Sequence, residues 1–142
     1  MFLEGILAIS GEPGLFKLVS KGKTNVIVES LLNGKRMPVF STSNISTLED
    51  VAIYTENEDV PLRKVFLNIF EKYNGETVLT GKPSNKELME LLGSILPDYD
   101  RDRVYASDAK KMVNWYNCLI TNKILTKENI KEEEKEEINS EE

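Results

Sequence analysis

The chain has 142 residues, 40% hydrophobic and 30% charged, with a net charge of −6 at pH 7, which suits one compact domain or two small units sharing a core. Residues 127–142 carry three lysines and eight glutamates, leaving 15 basic and 16 acidic residues in 1–126. The acidity therefore belongs to the C-terminal end, and no global basic field points to nucleic acid.

Residues 2–9 are apolar but interrupted by Glu4, without the basic n-region or the length of a signal peptide. No window approaches the roughly 20 apolar residues of a membrane span, so a cytoplasmic protein is expected. Residues 6–9, 15–19, 26–32 and 35–40 read as strands, punctuated by Gly11-Glu12-Pro13-Gly14, Lys21-Gly22-Lys23 and Asn33-Gly34. Asn33-Gly34 predicts a two-residue hairpin turn, pairing Leu32 with Lys35. Glu29 then stands opposite Pro38 at a non-hydrogen-bonded position, so residues 35–40 should form an edge strand or be bulged there. Phe16 and Phe40 are expected in the core. Residues 43–50 read as a polar connector with Thr47 capping one helical turn, and the apolar run 51–54 as the strand closing a five-stranded barrel.

From residue 60 the period becomes 3.6, predicting a helix at 60–73 with Pro61 in its first turn and Asn74-Gly75 ending it. Residues 77–83 read as a linker. Ser84 and Glu87 form a capping box that opens a helix over 84–96, ended by Pro97. A third helix spans 107–123, with Ser107 as cap, Asp108 in the first turn and an apolar stripe of Ala109, Met112, Val113, Tyr116, Leu119 and Ile120. Cys118 lies off that stripe and reads as a spectator thiol, with its exposure left open. From Lys127 onward, with only Ile130 and Ile138 isolated among glutamates, the chain is too polar to bury anything and reads as a disordered acidic tail or a frayed helix. The expected fold is thus α+β: a small SH3-like or Sm-like β-barrel unit (1–50), a three-helix unit (51–126) and a tail (127–142). Fifty residues make a marginal core, so the helix at 60–73 should pack on the β unit.

Nothing in the chain spells out a reaction. Histidine is absent, which removes Ser-His and Cys-His pairings and the commonest zinc ligand. Asp98-x-Asp100-x-Asp102 has EF-hand spacing, but Arg103 stands where the loop needs glycine and Ala109 where it needs glutamate. Gly22-Lys23-Thr24 lacks the first glycine of a phosphate-binding loop, whose place is held by Lys17. Gly11-x-x-Gly14 joins strands and carries no base, unlike a KH clamp. No metal, cofactor or catalytic residue is expected.

Two candidate surfaces remain. The segment 98–108 is dense in acids, arginines and tyrosines. Tyr99, Arg101, Arg103 and Tyr105, with Trp115, make a candidate protein-interaction surface, against the alternative that an Arg–Asp pair locks the helix junction. Lys17, Lys21, Lys23, Lys35 and Arg36, offset by Glu29 alone, give residues 14–47 a charge of +4 and the alternative of nucleic-acid contacts.

Residues 6–19, with Gly11-Glu12-Pro13-Gly14, 29–40, with Asn33-Gly34, and 96–116, with Pro97-Asp98-Tyr99-Asp100-Arg101-Asp102-Arg103, together resemble an uncharacterised bacterial family. That family has an N-terminal β unit of unknown function followed by a helical unit of unknown function. The resemblance covers residues 3–122 and implies a two-part cytoplasmic protein, with no activity or ligand to carry over. The function expected is a non-enzymatic interaction or adaptor protein with another protein as partner and no membrane, or alternatively a nucleic-acid-associated regulator.

Overall fold

The computed structural model describes residues 2–12, 14–40 and 44–131. Its architecture is α+β. Strands β1 (Ile6–Ile9), β2 (Phe16–Lys21), β3 (Asn25–Ser30), β4 (Arg36–Phe40) and β5 (Ile45–Thr47) form one antiparallel sheet in the order β4-β3-β2-β1-β5. A 3-10 turn at Leu48–Asp50 leads into a separate ribbon of β6 (Ala52–Ile53) and β7 (Val60–Pro61). Helices α1 (Leu62–Lys72), α2 (Asn85–Ile95) and α3 (Ala106–Thr121) follow.

The sheet is open. β4 and β5 are its two edges and do not pair with each other among the described residues, so the closed barrel expected from the sequence is not formed. Nor does the run 51–54 supply the fifth strand. β5 comes from the stretch read as a polar connector, where Ile45 and Thr47 pair with Ile9 and Leu7. Their β-branched side chains suit a strand in spite of the polar neighbours. Ala52 and Ile53 pair instead with Pro61 and Val60.

The β3–β4 hairpin departs from a two-residue turn by a register of two. Ile27, not Glu29, faces Pro38. Leu31 leaves the ladder to donate its N–H to Leu15 O (2.9 Å), and the loop widens to residues 31–34. Ser30 Oγ accepts from Leu32 N–H (3.2 Å) and Asn33 Oδ1 from Lys35 N–H (2.9 Å), while Gly34 takes φ +74°. A shift of two keeps every side chain on its face. Ser30 N–H donating to Lys35 O marks a hydrogen-bonded pair, so Pro38 still occupies a non-hydrogen-bonded site, on an edge strand. Alternation then sends Phe40 outward, 54% exposed, beside buried Val39, whereas Phe16 is 3% exposed. The expectation that both phenylalanines feed the core fails at Phe40 for that reason.

β1 is buried on both faces. Leu7 and Ile9 join Phe16, Val28 and Val39 in a small cluster inside the curl of the sheet, which a register shift between Leu18 and Ser20 helps to bend. Ile6 and Ala8 face the other way. There Leu3, Leu15 and Leu48 enter the main core with Val65, Phe66 and Ile69 of α1, Leu88 and Leu92 of α2, and Met112, Tyr116 and Leu119 of α3. Sheet and helices thus share one core.

Helix ends follow local chemistry. Pro61 is the N-cap residue of α1, not part of its first turn. Asn74 and Gly75 take φ +55° and +76°, and Gly75 N–H donates to Phe70 O (2.9 Å), a Schellman closure. Glu87 N–H donates to Ser84 Oγ (3.2 Å) and Ser84 N–H to Glu87 Oε1 (3.3 Å), completing the capping box of α2. α3 is not capped by Ser107. Tyr105 stands at its N-cap, and Asp108 Oδ2 accepts from Tyr105 N–H (2.9 Å). Residues 127–131 form a further helical turn, where Ile130 packs against the core that composition gave it no means to reach. The tail from 132 onward, with Ile138, lies outside the described residues, as does Pro13.

The linker after α1 is tied to α3 rather than loose. Asn117 Nδ2 donates to Val78 O (2.8 Å), its Oδ1 accepts from Val78 N–H (2.9 Å), and Tyr116 OH donates to Glu76 O (2.9 Å). Asn117→Ala leaves both backbone groups of Val78 unpaired and is expected to cost about 1–3 kcal/mol in denaturant unfolding. Burial pushes the Tyr116 phenol from its usual 10.0 up to about 12. A raised pKa means stability that is intact below the unfolded value and lost as pH rises through the folded one. Stability should therefore fall between pH 10 and about 12, and Tyr116→Phe should flatten that fall in thermal melts.

Candidate functional site

The site lies where segment 98–103, the strand through β6 and the N-terminal half of α3 converge. Leu96 and Pro97 end α2, and the chain then runs antiparallel to residues 54–56. Glu56 N–H donates to Asp98 O (2.9 Å), Asp100 N–H donates to Tyr54 O (2.8 Å), and Tyr99 bridges Thr55. Asn57 Nδ2 adds a bond to Asp98 Oδ2 (3.2 Å), and Thr55 Oγ1 donates to Glu58 O.

Each arginine of the segment covers a tyrosine. Arg101 lies 4.4 Å from the centre of the Tyr99 ring and donates to Tyr99 O (3.1 Å) and Pro97 O (3.3 Å). Arg103 lies 4.3 Å from the centre of the Tyr54 ring, and its Nε donates to Asp100 Oδ2 (2.8 Å). Asp100 Oδ1 also accepts from the N–H of Asp102 (3.0 Å). The hydrogen bond from Arg103, helped by that backbone N–H, holds the Asp100 carboxyl below the usual carboxylate range. The same pair holds the Arg103 guanidinium above its ordinary value. Arg103 and Asp100 thus form an ion pair at the surface, within the segment itself.

Only part of the candidate surface comes together. Arg103 and Trp115 line one groove of about 230 Å³ with Tyr54, Asp108 and Lys111 at its rim and Val51, Leu62 and Met112 below. Past Lys111 and Trp115 it continues into a depression bounded by Ala8, Ser10, Glu12, Ser46 and Asn114. Tyr99 is in the core, with Arg101 lying over it, and Tyr105 is 63% exposed away from the groove. Tyr54, Asp108 and Lys111 stand outside the set the sequence singled out. Lys111 was legible as one turn before Trp115 on α3, whereas Tyr54 reaches the groove through tertiary pairing alone.

The basic residues do not gather. Lys17, Glu29 and Arg36 lie in one cross-strand row, with Arg36 Nε 3.5 Å from Glu29 Oε1. Lys21 and Lys23 are at the β2–β3 turn, roughly 13 Å farther along the strand at ordinary strand rise, and Lys35 sits at the opposite hairpin. Among the described residues no group of three or more His, Cys, Asp or Glu is placed to hold a metal ion. No helix among them is long and apolar enough to cross a membrane. Cys118, whose exposure the sequence leaves open, is buried, because α3 packs on the β unit here and the thiol meets the backbone of Leu15.

Residues 3–48 match the model of Domain of unknown function (DUF5606), and residues 51–119 that of Domain of unknown function (DUF6852). A solution NMR structure of a protein from Bacteroides vulgatus, a Northeast Structural Genomics Consortium target, is 42% identical with a TM-score of 0.73, covering 87% of this chain and 89% of that one. The chain belongs to the family of this protein. It is an uncharacterised bacterial family that joins the two domains of unknown function. No curated protein matches.

Two expectations follow from the geometry. Replacing Arg103 by Ala should raise the Asp100 carboxyl toward 3.8, read by NMR titration of its side-chain carbon. Because that pKa is lowered in the fold, the stability it confers is present above the unfolded value and lost as pH falls below it. Burial pushes the Cys118 thiol up, so a thiol reagent should modify it slowly in the native protein and quickly in denaturant.

Proposed function

We propose that this protein is a non-enzymatic cytoplasmic interaction module that holds another protein in the groove beside α3. One observation carries the reading: half-buried Trp115 and exposed Lys111 flank an apolar-floored groove into which Tyr54 and Arg103 also project. Tryptophan, tyrosine and arginine are the residues most often found at binding hot spots. The chain has no histidine, and the groove's carboxylate, Asp108, already accepts the N–H of Tyr105 at the start of α3, which supports binding over catalysis. The strand order and inward cluster of the sheet support reading the β unit as an SH3-like or Sm-like barrel opened along its β4–β5 seam, with the helices as one unit packed on it.

The nucleic-acid reading finds less support, because Lys17, Lys21, Lys23, Lys35 and Arg36 are spread over both ends of the sheet. The two readings separate by capture from the native cell with wild type, Trp115→Ala and a Lys21→Ala/Lys23→Ala pair. The interaction reading expects a protein partner that the Trp115 variant loses and the lysine pair keeps. Partner retention by Trp115→Ala, or an oligonucleotide complex with a steep salt slope, would contradict it.

A further inference from the structure

The strand running from residue 51 to 56 is only half paired along one of its edges. Leu62 N–H donates to Val51 O (2.9 Å), which makes 51 with 62 and 53 with 60 the hydrogen-bonded positions and puts Ala52 opposite Pro61 at a non-hydrogen-bonded one. Pro61 has no N–H to give, so nothing is lost on that side. The N–H and C=O of Ala52 consequently face the other edge. That is the edge on which Tyr54 and Glu56 meet residues 98–100. After Asp100 the chain turns away, held by the bonds from Asp102 and Arg103 to its carboxylate. Ala52 is left exposed, lining the groove, and its backbone has no hydrogen-bond partner among the described residues.

The chemistry around this gap is one-sided. Asp108 is engaged by the N–H of Tyr105, and Arg103 by Asp100. Lys111 has no ion pair among the described residues and lines both halves of the groove. Glu12 lies in the adjoining depression, on the other side of Trp115. The groove therefore presents a free strand edge, an apolar floor and one uncommitted cation.

We propose that the partner binds here by strand addition. An extended peptide segment takes up the line of residues 98–100 where they leave the edge, pairs with Ala52, sets an apolar side chain over Leu62 and Met112, and brings a carboxylate to Lys111. Main-chain bonds then give affinity and the two side-chain positions give selectivity, as in other strand-addition complexes. This rests on the groove being the binding site, and goes beyond it by naming the backbone of Ala52 as a contact and an acidic, extended peptide as the ligand.

Panning a phage-displayed library of random short peptides against the full chain supplies the probe. The enriched peptides should alternate apolar and acidic residues. Their binding should slow hydrogen exchange at the Ala52 amide, which is unpaired in the free protein. Ala52→Pro deletes that N–H without removing an internal bond, and Val51 already has the extended backbone that a following proline requires (φ −84°, ψ 139°). With an unchanged thermal midpoint it should weaken the selected peptides about tenfold, the scale of one hydrogen bond lost on binding. Lys111→Glu, on an exposed helix face, should weaken acidic peptides and spare neutral ones. Peptides that depend on Trp115 but leave the Ala52 amide unprotected would overturn strand addition while the groove reading stands. Peptides indifferent to Trp115, Lys111 and Ala52, or no enrichment, would overturn both.

Discussion

The β unit cannot cover itself, and the rest of the structure depends on that. β1 is apolar on both faces, and five short strands close over only one of them, curling around Leu7, Phe16, Val28 and Val39. The other face, with Leu3, Ile6 and Leu15, is buried because helices are laid against it. A sheet of this size standing alone has too little core to be stable. The helices need it equally, since the apolar stripes of α1 and α3 converge on the same cluster, where the Phe66 and Tyr116 rings lie 6.2 Å apart.

α3 carries this arrangement into the candidate site. Its buried face fixes its position over the sheet. Its flank then has no choice but to present Asp108, Lys111 and Trp115, spaced at helical intervals, to the strand through β6. Asn117 and Tyr116 fasten the 76–78 linker to the same helix. The groove walls come from both halves of the chain, Ala8 and Ser46 from the sheet and Lys111 and Trp115 from the helix, so the site exists only while the shared core does.

Much of this was legible where local chemistry decides. The Ser84–Glu87 box, the Asn74-Gly75 stop, the β1 run and the edge position of Pro38 all follow from short-range rules. What was misread turned on contacts distant in sequence. Leu31 leaves its ladder to meet Leu15, which widens the hairpin that Asn33-Gly34 alone would have kept tight. Ile45 and Thr47 become a strand because β1 offers them an edge. The burial of Cys118, which helical periodicity leaves open, is likewise decided at a distance, by the β unit covering that side of α3. In the candidate site, the Arg101–Tyr99 stack involves near neighbours, but Arg103 over Tyr54 required the pairing of 54–56 with 98–100, which no spacing in the sequence announces.

Native-state hydrogen exchange tests the shared core most directly. The slowest amides of β1 and β2 and those of α3 should open with one common free energy, equal to that of global unfolding and equally sensitive to denaturant. Sheet amides that stay protected while α3 exchanges through a separate, lower-energy opening would contradict the account, for the two halves would then be independent units in contact.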